Sequence, residues 1–138
     1  MDHAVFADME SGELEKLLKG KKTMIIRGST GRRFPNGSVA PGDVVYFVRD
    51  LGKAVAVAKG IVKGCRRSGQ DSKAPELISS FSESLSLCAA EAKKWARRKH
   101  VLLVEFGRVD EIGPFAVDFP KAAGGWLSAD YINRIRLD

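Results

Sequence analysis

The stretch that decides the fold is GKKTMIIRGSTGRR, Gly20 to Arg33, a short apolar segment framed by basic residues. Thr23 to Arg27 predicts a β-strand, because its centre is apolar and a loop rich in glycine, proline and asparagine follows it. Side chains alternate along a strand, so we expect Met24 and Ile26 to face the core while Thr23 and Arg27 project from the other face. The basic residues around this strand are Lys21, Lys22, Arg27, Arg32 and Arg33.

The net charge of +6 is concentrated around this stretch. Lys16 to Arg67 holds thirteen basic residues against two acidic ones, whereas Ser68 to Asp138 holds ten of each. A basic segment within a folded domain is typical of a protein that binds a polyanion, because neutralising phosphates releases counterions. A solvated surface that keeps the protein soluble is the alternative interpretation.

The segments around the opening stretch predict an α+β domain. Leu14, Leu17 and Leu18 have helical spacing and predict a helix from Glu13 to Lys19 that ends at Gly20. Strands are predicted at VVYFVR (44–49), at AVAVAKGIVKG (54–64), whose Val55 and Ile61 should share a face, at HVLLVEFGRV (100–109) and in EIGPFAV (111–117). Five or six short strands without regular βαβ alternation favour a small curved sheet or barrel.

Two helices are predicted between the strands. Leu77, Ile78 and Phe81 have helical spacing, and Ser86 is expected to cap a second helix that runs to about Lys99. In that second helix we expect one apolar side and one cationic side that faces solvent. The apolar side contains Cys88, Ala92, Trp95 and Ala96, and the cationic side contains Lys93, Lys94, Arg97 and Arg98.

The length and composition predict one domain, residues 1–138, in the cytoplasm. No apolar run approaches the roughly 18 residues of a membrane span, so no membrane association is predicted, and the acidic N-terminus is unlike a signal peptide. Cys65 and Cys88 are expected to be reduced thiols. With His3 in a frayed terminus and His100 opening a strand, no metal site or cofactor is predicted.

Two short motifs do not support more specific functions. GKKT is preceded by a helix and followed by a strand, which is the reverse of the order that a phosphate-binding loop requires. GSTG followed by Arg32 and Arg33 has the glycine spacing of the KH backbone clamp, but that clamp joins two helices and this loop follows a strand.

The order of features resembles the ASCH group of the PUA-like superfamily over nearly the whole chain. The match rests on GKKTMIIR, PGDVVYFV, the alternating strand, the helical insertion and VLLVEF. Lys22, Thr23 and Arg27 occupy the positions of the family's lysine, threonine and arginine signature, and Gly42 and Asp43 match its turn. The resemblance implies a PUA-like barrel with an N-terminal helix and a two-helix insertion, whose cleft binds RNA, a nucleotide or a modified nucleobase.

The preferred hypothesis is therefore a nucleic-acid-binding module. Cations should contact phosphates, and an accessible aromatic side chain should stack on a base. The candidate binding residues are Lys21, Lys22, Thr23, Arg27, Arg32, Arg33, Tyr46 and Trp126, although both aromatic residues could equally belong to the core. A third possibility is a domain that binds a protein partner through the tail around Trp126.

The resemblance also implies an alternative, a small hydrolase acting on RNA or an acetylated nucleoside. Lys22 would be its catalytic lysine and Glu83 its glutamate. The threonine that some relatives use falls on Ile25, which can pack but cannot act as a nucleophile. The sequence therefore leaves the question of enzymatic activity open and favours binding.

Overall fold

The computed structural model describes residues 1–29, 39–68, 73–98, 100–120 and 125–137. The strands are β1 (Asp2–Phe6), β2 (Met24–Ser29), β3 (Val44–Asp50), β4 (Ala54–Arg67), β5 (His100–Val117), β6 (Trp126–Ala129) and β7 (Arg136–Leu137). The α-helices are α1 (Glu13–Leu18), α2 (Ala74–Ser80), α3 (Ser82–Leu85) and α4 (Ala89–Ala96), and a 3-10 turn spans Ile132–Arg134.

These strands form one curled mixed sheet, a half-barrel with the order β2-β5-β4-β3-β1-β6, and β7 pairs with β5. Among the described strands, β1 and β3 pair in parallel, and the other pairs are antiparallel. The expected α+β barrel is confirmed, with seven strands where five or six were predicted.

The two faces of β2 belong to different cores. Ile25 is fully buried with Phe47 and Leu102 inside the half-barrel. Met24 and Ile26 pack instead against the helical insertion, in a cluster that contains Leu77, Ile78, Leu85 and Leu103. The expectation that Met24 and Ile26 face the barrel core is therefore wrong. The insertion covers the outside of β2, and so both faces of this strand are buried.

The N-terminus is a central strand, not a frayed end. His3 is fully buried in β1, with Nδ1 2.8 Å from Ser128 Oγ and Nε2 2.9 Å from Asp43 Oδ2. The indole N–H of Trp126 donates to Nδ1 at 3.2 Å, and because an indole can only donate, Nε2 carries the proton that is donated to Asp43. This network fixes β1 between β3 and β6 and places Trp126 in the core.

Bulges in β4 and β5 explain why side chains predicted on one face of β4 lie on different faces. The register between β4 and β5 shifts three times, so Val55 is buried while Ile61, predicted on the same face, is 59% exposed. At the first shift, Ala56 pairs with Phe115 and Ala58 pairs with Glu111. Pro114 falls inside that bulge, where it needs no ladder hydrogen bond, and β5 therefore continues through the predicted break.

The helical insertion contains three helices rather than two. Ser86 does not cap the last of them, because it ends α3 in the left-handed region with a φ of 48°. Cys88 is the N-cap of α4, and the Glu91 carboxylate accepts a hydrogen bond from the Cys88 N–H at 3.2 Å, which forms a capping box. The start of α4 is thereby fixed two residues later than predicted.

Candidate nucleic-acid interface

Lys22 is a buried cation rather than a surface contact. Its side chain is 3% exposed, and its ammonium donates to the backbone carbonyl of Leu85 in α3. Burial lowers the pKa of Lys22, and the negative charges of Glu13 and Glu91 oppose that shift. Lys22 therefore lies beneath the protein surface. Its ammonium is hydrogen bonded to α3, and its charge interacts with Glu13 of α1 and Glu91 of α4.

Arg27 is held by several groups at once. Its guanidinium donates to both oxygens of Glu13, at 2.6 and 2.9 Å, to the Phe6 carbonyl at 3.0 Å and to the Ile26 carbonyl at 2.8 Å. These contacts join the β2 edge to the end of β1 and the start of α1. Arg27 thus closes the open side of the half-barrel, and its donors face protein groups.

A cleft of about 230 Å³ lies where the end of β1, β2 and α4 meet, and we call it the α4 cleft. Trp95 and Leu87 supply apolar surface, while acidic residues outnumber basic ones around the rest of the wall. The charged residues that line it are Asp8, Glu10, Glu13, Glu91, Arg27 and Lys94. Such a cleft suits a flat, partly apolar group better than a phosphate.

Trp95 forms the wall of the α4 cleft because β2 has a glycine opposite it. A Cβ on Gly28 would lie 2.8 Å from Cζ3 of Trp95, so only glycine lets the indole lie directly against the strand. Trp95 remains half-buried, with the ammonium of Lys94 5.0 Å and the guanidinium of Arg98 5.9 Å from its ring centroid.

The end of the sheet where β2 and β4 stop and β5 begins lies close to Trp95. Gly28 pairs with Val101 and Arg67 pairs with Leu102 at this end. Arg66 lies over the Phe81 ring at 5.8 Å. We call Arg66, Lys94 and Arg98 the basic end. The segment after Ser29 leaves β2 here, although Arg32 and Arg33 themselves lie outside the described residues.

The other predicted binding residues are spread over the molecule. Lys21 is exposed, and Thr23 lines, together with Lys22 and Phe106, a different cavity of about 180 Å³. Tyr46 is half-buried edge-on against Phe115, with ring centroids 5.9 Å apart, and its pKa is raised by burial. Trp126 is only 8% exposed, so it offers no stacking surface.

The residues predicted for a hydrolase do not form a recognisable group. Glu83 is exposed on α3, whereas the acids whose charges act on Lys22 are Glu13 and Glu91. Ile25 is fully buried in the barrel core, as its apolar side chain requires. Within the described residues, Glu83 makes no hydrogen bond or ion pair with Lys22, contrary to the approach expected for a hydrolase.

The sequence does not single out four residues of this candidate site, namely Trp95, Lys94, Arg98 and Glu91. The helical pattern placed Trp95 on an apolar face and the cations toward solvent, which is correct for an isolated helix. The glutamate three residues after Cys88 carried the signal of a capping box, and Gly28 carried the signal of a close approach to the strand. Neither signal indicates which helix lies over which strand.

The remaining expectations from the sequence concern metal ligands, thiols and membrane-spanning helices. Those residues contain no group of three or more His, Cys, Asp or Glu side chains that could hold a metal ion. Cys65 and Cys88 are free thiols. Of the helices within the described ranges, none is long and apolar enough to cross a membrane.

The half-barrel is similar to solved structures of the ASCH protein of Zymomonas mobilis. That structure superposes with a TM-score of 0.64 at 14% identity, covering 85% of this chain and 74% of the other. A tyrosine-to-phenylalanine variant of the same protein gives 0.64 at 14% identity (85% and 76% covered), and a serine-to-alanine variant gives 0.60 at 9% (83% and 73%). No protein-family model and no curated protein matches the chain. The chain has an ASCH-type fold.

Proposed function

We propose that this protein is an RNA-binding module that holds single-stranded RNA at the basic end, with one base stacked on Trp95. The observation that carries the proposal is the half-buried indole of Trp95 at the mouth of a cleft, with Lys94 and Arg98 within 6 Å of its ring centroid. An aromatic platform beside cations is the arrangement that single-stranded nucleic acids bind.

The two parts of this surface have different tasks. Lys94, Arg98 and Arg66 supply positive charge for phosphates, which positions the strand without reading its sequence. Trp95 supplies a flat apolar surface on which any base can stack, at about 1–3 kcal/mol per base. The ASCH-type fold supports the same function, because PUA-like domains are mainly RNA-binding modules.

The basic residues of the opening stretch have different roles in this proposal. Arg32 and Arg33 follow β2 in the sequence, and we propose that they add to the phosphate-binding surface. Lys21 is exposed but precedes the start of β2, at the opposite end of that strand from the basic end. Arg27 holds the wall of the α4 cleft through Glu13 and the Phe6 and Ile26 carbonyls, and Lys22 ties the start of β2 to α3 through the Leu85 carbonyl. The RNA-binding surface thus depends on both sets of residues.

The proposal is tested by the salt dependence of RNA binding. Fluorescence anisotropy with a labelled single-stranded RNA should show affinity that falls as salt rises. The Lys94→Ala/Arg98→Ala double variant should weaken binding and reduce the log–log slope by about 1.4, if each residue contacts one phosphate. The matched control is Lys59→Ala/Lys63→Ala, which removes the same charge from exposed positions of β4.

The control should bind nearly as well as the parent protein. Binding that is absent or insensitive to salt would refute the proposal. Equal losses in the two double variants would also refute it, because the effect would then come from net charge. A Trp95→Leu variant keeps apolar bulk but removes the stacking surface, and it should weaken binding about tenfold without changing the salt slope.

A further inference from the structure

We infer that the α4 cleft selects a base that carries an exocyclic amino group, such as cytosine or adenine, over uracil, through a hydrogen bond to Glu91. This inference rests on the proposed function and adds a base preference to it. It starts from which polar groups in the cleft wall are already satisfied and which are not.

Among the charged side chains of the cleft wall that are at least half-buried, which are Arg27, Glu13 and Glu91, only Glu91 has hydrogen-bonding capacity to spare; Asp8, Glu10 and Lys94 are exposed. Arg27 donates hydrogen bonds to Glu13 and to the Phe6 and Ile26 carbonyls. Glu13 is 4% exposed, and its oxygens accept from Arg27 and from the Asp8 N–H. Glu91 is half-buried and uses Oε1 for the Cys88 N–H. Its Oε2 has no hydrogen-bond partner among the described residues.

Glu91 is well placed to meet the edge of a stacked base. It precedes Trp95 by four residues in α4, and side chains at i and i+4 lie on the same face of a helix. Both residues line the α4 cleft. A base whose face lies on the indole therefore presents an edge toward the Glu91 carboxylate.

The Glu91 carboxylate favours a base whose edge can donate a hydrogen bond to it. An ionised carboxylate can only accept hydrogen bonds. Cytosine and adenine offer an amino group that donates, which is the contact that acidic side chains make with cytosine N4. Uracil presents the O4 carbonyl at the equivalent position, and two acceptors repel each other.

The inference is tested with two short RNAs that differ only in their bases, pentacytidylate and pentauridylate, each with the same fluorescent label. The parent protein should bind pentacytidylate about tenfold more tightly, the scale expected for one hydrogen bond to a charged group. Glu91→Gln should abolish or reverse this preference, because the amide oxygen is held by the Cys88 N–H and the remaining NH2 group can donate to uracil O4 but cannot accept from cytosine N4. Glutamine also retains the capping box, so the helix should persist.

Glu83→Gln is the matched control, since Glu83 is exposed on α3 and lies outside the cleft wall. It should leave the preference unchanged. Equal affinity of the parent protein for both RNAs, tighter binding of pentauridylate, or a preference that survives Glu91→Gln would overturn the inference and leave the proposed function standing. If neither RNA binds, the proposed function fails and the inference fails with it.

Discussion

At the scale of single residues, Arg27 stabilises the fold through the contacts of its guanidinium group. Its guanidinium bonds to Glu13 and to two backbone carbonyls, and the ion pair is mostly shielded from water, with side-chain exposures of 19% and 5%. Removing one member of a buried pair leaves the other charge without compensation. Arg27 thereby links the edge strand β2 to the end of β1.

We expect Arg27→Ala to lower the free energy of unfolding by about 3 kcal/mol, because Glu13 would remain buried and unpaired. The Arg27→Met/Glu13→Leu double variant should lose much less, since it removes both charges and retains apolar bulk. Urea denaturation followed by fluorescence measures both variants. Arg108→Ala is the control, because the Arg108–Asp110 pair is exposed and contributes little. A double variant as unstable as Arg27→Ala would contradict the argument.

At the scale of elements, the sequence predicts most helices and strands but not how they pack. The helix around Leu14 and Leu17 and the strand at Val44 to Asp50 form as their patterns predict, because periodicity records burial within one segment. The contact of α4 with β2 joins segments far apart in the chain, and it depends on Gly28 meeting Trp95. A local pattern does not contain that information, and so the sequence does not predict the position of Trp95 over β2.

The packing of α4 on β2 can be tested at Gly28. A Gly28→Ala variant places a methyl group 2.8 Å from Trp95 Cζ3, so the helix must shift, and we expect a loss of about 1–3 kcal/mol in unfolding free energy with a change in tryptophan fluorescence. Gly107→Ala is the matched control, because a Cβ there meets no atom within 4 Å. Combining Gly28→Ala with Trp95→Leu should recover part of the lost stability. Equal losses at Gly28 and Gly107 would argue against the contact.

At the scale of the whole molecule, the fold redistributes the charge that the sequence concentrates. The opening stretch predicted a cleft lined by Lys22 and Arg27, yet one is buried and the other is paired with Glu13. The cations of α4 come from the half of the chain that carries no net charge, and packing brings them beside the end of β2. A regional charge count therefore indicated a polyanion partner but not the surface that would meet it.

The N-terminal strand was missed for a related reason, because its burial depends on partners distant in sequence. Asp43 and Ser128, 40 and 125 residues away, hydrogen bond the ring of His3, and without them a histidine in a five-residue terminal segment gives no reason to expect a central strand. The sequence thus predicts the fold class, while the position of β1 in the sheet follows only from the assembled polar network.

If this network makes β1 part of the cooperative unit, its loss should destabilise the whole domain. We expect His3→Ala to lower the free energy of unfolding by about 3 kcal/mol, because it leaves a cavity and removes the acceptor of the Trp126 indole. Ser128→Ala should lose only about 1 kcal/mol, since Nδ1 keeps the Trp126 donor. Urea denaturation measures both, and hydrogen exchange should show the Ala4 and Val5 amides opening only with global unfolding. Fast exchange of these amides in the folded protein would mean that β1 frays independently, and the two substitutions would then have similarly small effects.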